Sequence, residues 1–240
     1  MREAGWVVAQ VIEALKTAVQ PGVRARELDA LAAREIKRRG AAPAFLGYRG
    51  FPAHICVSLN EEIVHGIPGE RALREGDLVK LDVGAILGGL YADAAVSVSC
   101  GEVSPQAQAL LEVTRGALEA GIGAAQAGAR TGDIGAAIQA FAEGRGYSVV
   151  REYVGHGIGR HLHEEPQVPN YGEPGQGALL QPGMAIAIEP MVNIGTWKTK
   201  VLEDHWTVVT EDGSLSAHFE HTILLTEDGA EVLTRLPQEG

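Results

Sequence analysis

Cysteine is nearly missing from this chain of 240 residues, with only Cys56 and Cys100 present. Two thiols in a chain this long exclude a disulfide framework or a zinc cluster of several thiolates, and they suit a reducing cytosol. Basic residues are also short: 20 Lys and Arg stand against 31 Asp and Glu, for a net charge of −11. A sequence-independent grip on phosphates needs a basic face, so no nucleic-acid partner is expected. No apolar run reaches bilayer-spanning length, and the N-terminus runs into a charged amphipathic pattern rather than the apolar core of a secretory signal. There is no serine or cysteine in a nucleophile-elbow context and no phosphate-binding glycine loop ahead of a helix. No low-complexity linker or charge block marks a domain boundary. The expectation is a soluble, cytoplasmic protein with one domain over residues 1–240, monomeric because no exposed heptad or apolar patch is evident.

What is present is a duplication. Apolar residues recur at helical spacing from Trp6 to about Arg39, broken at Pro21-Gly22, and again from Pro105 to Gly146. Pro21-Gly22-Val23-Arg24 and Glu27-Leu28 correspond to Ala127-Gly128-Ala129-Arg130 and Asp133-Ile134, and Arg39-Gly40 to Arg145-Gly146, at a constant offset of 106 residues. A second echo follows at nearly the same offset. Glu75-Gly76-Asp77-Leu78-Val79-Lys80-Leu81-Asp82 aligns with Pro182-Gly183-Met184-Ala185-Ile186-Ala187-Ile188-Glu189, a glycine turn leading into a strand that ends on a carboxylate. Further strands are predicted over His54–Ser58, Tyr147–Val154, Trp206–Thr210 and Glu220–Leu225. The fold class is therefore α+β. Two related halves, about 1–104 and 105–240, are expected to share one continuous antiparallel sheet with four helices on one side, and a site where the halves meet.

Asp82, Asp93, His156, Glu189 and Glu220 each lie in or beside an apolar, strand-like run. Carboxylates gathered in a partly buried cleft cost several kcal/mol each in desolvation unless cations balance them. Two divalent ions would neutralise all four. Gly88-Gly89 suits a two-residue hairpin turn, and pairing Leu87 with Leu90 places Gly84 opposite Asp93, with Asp82 its diagonal neighbour. A polar hairpin with solvated carboxylates is the competing reading. His156 lies among Gly155, Gly157 and Gly159, where its neutral nitrogen could serve a metal; His163 is too far along to share a helical face with it. Taken singly, each histidine also fits a loop or a satisfied core position. Pro190 stops the strand that carries Glu189. His65 precedes a Gly66-Ile67-Pro68 turn at a loop mouth, and Phe45, Tyr48, Phe51 and Cys56 form either a cleft lining or an ordinary core patch.

The segments Asn60–Pro68, Leu81–Asp93, Gly155–Pro166, Ile186–Met191 and Phe219–Thr222 resemble the type I methionine aminopeptidases, which have the duplicated pita-bread fold, and the likeness covers essentially the whole chain. The resemblance implies a curved antiparallel sheet with two helix pairs in pseudo-two-fold halves. It implies metal ligands at Asp82, Asp93, His156, Glu189 and Glu220, with Asp93 and Glu220 bridging two divalent ions whose identity (Co, Mn, Fe or Zn) the sequence leaves open. It also implies His65 and His163 on the scissile peptide, and a methionine pocket of Tyr48, Phe51, Cys56 and Trp206, with Leu162 where relatives often place an aromatic. Arg49 stands where a histidine is common. The short spacing from Glu189 to Glu220 and the helix pattern beginning near Met1 suit a minimal, bacterial-style enzyme. The implied reaction is removal of N-terminal methionine from nascent chains with a small second residue. In that reaction, as the resemblance implies it, water or hydroxide held by the ions would attack the carbonyl, with Glu189 as base. Transient ribosome association is compatible with that substrate. The rivals are a proline-specific peptidase of the same fold and a non-catalytic relative that binds protein or RNA.

Overall fold

The computed structural model describes residues 1–236, and its helices come from the two amphipathic pairs. They are α1 Arg2–Ala18, α2 Ala25–Arg38, α3 Pro105–Ala124 and α4 Thr131–Glu143. The strands are β1 Ala42–Pro43, β2 Cys56–Leu59, β3 Glu62–Val64, β4 Leu78–Leu87, β5 Leu90–Ser99, β6 Ser148–Val149, β7 Gly155–Gly157 and β8 Glu164–Val168, followed by β9 Ala185–Ile188, β10 Met191–Asn193, β11 Thr199–Val201, β12 Val208–Thr210, β13 Ser216–His218, β14 His221–Thr226 and β15 Gly229–Val232. Among the described residues no helix is long and apolar enough to cross a membrane.

The sequence echo is a structural echo. Gly22 N donates to Leu73 O at 2.8 Å and Leu73 N to Val23 O at 2.8 Å; in the second half Gly128 N donates to Leu180 O at 2.9 Å and Leu180 N to Ala129 O at 2.8 Å. Gly22 and Gly128 sit at φ 92° and 88°, a region that disfavours any residue with a Cβ. Each second helix then opens with its third residue turning back: the Arg24 and Arg130 amides donate to the carboxylates of Glu27 and Asp133, both at 2.7 Å.

Alternation along the strands sorts the two faces. Val79, Leu81, Val83 and Ala85 of β4 pack with α1 and α2 in one core, leaving Lys80, Asp82 and Gly84 to the other side. Ile186 and Ile188 of β9 pack with α3 and α4 in a second core, while Ala185 packs with the cleft residues. Each core joins a helix pair to the strands beside it, the second also taking in Leu78 of β4, and the opposite face is free to carry polar groups.

The strands do not form one continuous ladder, as the sequence led us to expect. Among the described residues all pairings are antiparallel, but they divide into four sheets: β1-β4-β2 with β5 on β4, β13-β10-β6, β11-β12-β3 and β15-β14-β9-β7-β8. At the seam between β5 and β14 the ladder is replaced by one backbone bond, Glu220 N to Ala95 O at 2.9 Å, and by the Thr222 hydroxyl, which accepts from Asp93 N at 3.1 Å. Between β9 and β10, Pro190 has no amide to contribute. The expected strand Tyr147–Val154 is also shorter, because the chain leaves the β10 sheet after β6 and joins β9 only at β7.

Candidate metal centre and active-site cleft

The long hairpin pairs as its glycine turn demands, with Leu87 opposite Leu90, Gly84 opposite Asp93 and Asp82 opposite Ala95. Asp82 and Asp93 are thus diagonal neighbours. Asp82 lies within β4 rather than at a strand end, a departure from the expected match with Glu189; only Glu189 follows its strand directly, where Pro190 interrupts pairing. Gly84 has a role not assigned to it from sequence: a Cβ there would stand 2.5 Å from the Phe45 ring, so the missing side chain lets Phe45 close over the hairpin.

His156 occupies the middle of β7, and its Nδ1 is 2.8 Å from Gly157 O. A carbonyl can only accept, so Nδ1 carries a hydrogen, and Nε2 is the nitrogen that the neutral ring would offer to a metal. Nε2 faces Asp93 Oδ2 at 3.7 Å and Glu189 Oε1 at 3.6 Å. Ligand atoms of Asp93, His156 and Glu220, all buried, lie within 4.8 Å of one another. Asp82 Oδ1 is sealed from solvent with no hydrogen-bond partner. Burial pushes the Asp82, Glu189 and Glu220 carboxyls well above the ordinary carboxylate range, and each is pushed further by its neighbouring carboxylates. Asp93 is raised by burial and pulled back by His156 and Thr222. Four crowded carboxyls, an orphaned oxygen and an imidazole nitrogen make a cluster chemically suited to metal binding.

Beside this cluster is a cavity of about 140 Å³. All five residues of the expected ligand set line it, as do His65, His163, Tyr48, Phe51, Cys56, Leu162 and Trp206; Phe45 and Arg49 complete the lining. Phe51 meets Trp206 edge-on at 5.1 Å between ring centroids. The Cys56 thiol is pushed well above its ordinary value by burial and by nearby Asp82, which keeps it an inert, apolar wall. His163 lies 4.1 Å from His156 between centroids with the rings tilted by 36°, and its Nδ1 is 2.9 Å from the Tyr48 hydroxyl. Desolvation first, then His156 and Arg49, push its pKa down to about 4, so it is neutral near pH 7. His65 stands at the mouth with φ 61°, between Tyr153 at 5.7 Å and Trp206 at 6.5 Å. Left-handed backbone at a non-glycine residue is uncommon and concentrates where function fixes a side chain.

Sequence reading passed over Thr222 and His218. Both share one face of the chain with Glu220, two positions either side of it, and that polar period-two stripe was the available signal.

Residues 1–227 match the metallopeptidase family M24. The chain belongs to that family. Methionine aminopeptidase 1 of Bacillus subtilis is 52% identical over 98% of this chain and 95% of its own. A crystal structure of methionine aminopeptidase from Thermotoga maritima superposes with a TM-score of 0.97 at 48% identity, covering 98% of this chain and 95% of the other. Prolidase from Pyrococcus furiosus shares the pita-bread fold, with a TM-score of 0.80 at 23% identity over 99% of this chain but 63% of its own. The chain thus shares its fold with both peptidase groups and is similar in sequence to the first.

Proposed function

We propose that this M24 metallopeptidase is a methionine aminopeptidase that releases N-terminal methionine from nascent proteins and peptides with a small second residue. The observation that carries the reading is the buried Asp93–His156–Glu220 cluster opening into an apolar pocket walled by Phe51, Cys56 and Trp206. An unbranched apolar side chain fits such walls, and the scissile carbonyl next to it falls beside the carboxylates. Asp82, Asp93, His156, Glu189 and Glu220 would hold two divalent ions, Co, Mn, Fe or Zn. Bound there, the ions would supply Lewis-acid polarisation and a nucleophile at neutral pH.

The chain's own groups account for the remaining steps. Glu189 Oε1, facing the cluster, takes the proton of the attacking water and returns it to the leaving amine, a role that contributes about 10²- to 10⁴-fold. His163 has Nδ1 engaged by Tyr48, which directs Nε2 toward the substrate. As a neutral donor it stabilises charge developing on the carbonyl oxygen. His65, at the mouth, holds the peptide beyond the scissile bond. Phe51 and Trp206 grip the methionine and exclude water from one side of the reacting carbon.

The two halves, about 1–104 and 105–240, act as one catalytic domain, because each contributes ligands to the same cluster. In this reading the protein is a cytoplasmic monomer that meets nascent chains, with transient ribosome contact. Hydrolysis of Met-Gly-Gly before and after chelation tests the proposal: activity that survives complete metal removal, or that no divalent ion restores, would sink it. Faster cleavage of X-Pro than of Met-Gly-X substrates would favour the proline-specific alternative.

A further inference from the structure

Beneath the cleft lies a fully buried imidazole without a partner. His218, at the end of β13, is 1% exposed, and among the described residues neither ring nitrogen finds a hydrogen-bond partner. Burying such groups unsatisfied is costly, so a histidine held there asks for an explanation. Its backbone is fixed on both sides: its amide donates to Ser97 Oγ at 2.8 Å, and that hydroxyl donates to its carbonyl at 2.7 Å. Two residues earlier, Ser216 O accepts from the buried Lys80 ammonium at 3.1 Å, and the same ammonium reaches Asn60 O at 2.7 Å. β13 is thus clamped to β4 and β5 by side chains, and the ring it carries has a defined direction.

That direction is toward Glu189. His218 Nε2 lies 3.9 Å from Glu189 Oε2, while the other oxygen, Oε1, faces His156 Nε2 at 3.6 Å. The Glu189 carboxyl therefore sits between two imidazoles, one in the cluster and one behind it. His156 Nδ1 gives its hydrogen to Gly157 O, which leaves Nε2 as the nitrogen the neutral ring offers to a metal. A carboxylate only accepts, so the nitrogen that satisfies it from behind must be a donor. The gap exceeds a hydrogen bond by about 1 Å, and contacts of this kind tighten when a site is loaded.

We propose that His218 is a positioning residue for Glu189: its Nε2–H holds Oε2 and leaves Oε1 aimed at the cluster and the cleft. The inference rests on the reading of Glu189 as ligand and proton carrier. With one oxygen fixed, the carboxylate loses its freedom to rotate, so both metal affinity and proton transfer depend on the imidazole behind it. Outer hydrogen-bond partners of ligating groups typically change metal affinity or activity 10- to 100-fold.

Two variants separate this role from space filling. His218→Met keeps the bulk without a donor, and His218→Gln keeps an N–H. Mn²⁺ titration calorimetry should show about 10-fold weaker binding in His218→Met and recovery of most of it in His218→Gln. Met-Gly-Gly kinetics should show kcat falling in the Met variant at unchanged KM. ¹⁵N NMR of the wild-type ring should place the proton on Nε2, a measurement that decides the matter even if the Met variant does not fold. Wild-type behaviour of His218→Met, equal impairment of both variants, or a proton found on Nδ1 would overturn the proposal. The calorimetric and NMR readouts need no turnover, so they distinguish its failure from that of the peptidase reading.

Discussion

Thr222 reaches Asp93 across 129 positions of sequence: its hydroxyl donates to the Asp93 carbonyl at 2.7 Å and accepts the Asp93 amide at 3.1 Å. The same oxygen is 3.2 Å from Asp93 Oδ1. This side chain, with the Glu220–Ala95 backbone bond, thus takes the place of a ladder at the seam between β5 and β14. It also sets Asp93 beside Glu220, whose amide is tied to Ala95 in the same hairpin.

Replacing that hydroxyl should loosen the seam. Thr222→Val keeps the shape but leaves the buried Asp93 amide without an acceptor, at a cost of about 1–3 kcal/mol. Thr222→Ser keeps the hydroxyl and should lose less. Urea unfolding midpoints measure the difference; a Val variant as stable as wild type would remove the seam from the account.

Metal should stabilise the protein more as pH rises. In the folded, metal-free chain Asp82, Glu189 and Glu220 carry raised pKa values because they are buried, so they keep protons that the unfolded chain releases. That contribution to stability is fully present below about pH 4, the unfolded carboxylate range, and is lost as pH climbs through the raised values. Divalent ions bind the ionised carboxylates and remove the loss. Thermal unfolding with excess Mn²⁺ or with chelator should therefore show a wider Tm gap at pH 7.5 than at pH 5.5. A gap that narrows with pH would contradict the ligand set.

Glu189→Gln removes the proposed base and one anionic ligand while preserving size. Methionine release from Met-Gly-Gly should fall at least about 10²-fold, the lower end of what a general base contributes. The fold should persist, because the Asn170 amide still donates to the Glu189 carbonyl at 3.1 Å. Retention of more than a tenth of the wild-type kcat would move the base elsewhere.

The pocket walls should act on binding rather than on chemistry. Phe51→Ala and Trp206→Ala each remove an apolar contact present equally in bound substrate and transition state. KM should rise about 10- to 100-fold, corresponding to roughly 1.5–3 kcal/mol of lost burial, with kcat little changed. A fall in kcat at constant KM would assign these rings to positioning the carbonyl.

The local elements were legible because each has a local cause. Pro21-Gly22 and Gly128 break the helix pairs by backbone geometry, and Gly88-Gly89 fixes the hairpin register that sets Asp82 diagonal to Asp93. The gathering of the acids in one cavity was legible as a charge problem: acids in apolar runs need partners. The single continuous sheet was not borne out, because sequence patterning shows which segments extend but not where a side chain such as Thr222 interrupts their pairing. Asp82 was misplaced to a strand end because the echo with Glu189 aligned residues correctly while only the second half carries a proline to stop the strand.

By itself, then, the sequence determined the duplication, the helix breaks, the hairpin register and the excess of acids that calls for cations, all consequences of steric and electrostatic rules acting over a few residues. Only the tertiary structure decided that Asp93, His156 and Glu220 converge within 4.8 Å, that Phe45 folds over Gly84, and that His218 stands behind Glu189. Those contacts join positions separated by large stretches of chain. They exist because the packing of two cores, not any local preference, brings the polar faces of β4, β5, β7 and β13 together with Glu189 and Glu220, which flank β9 and β14.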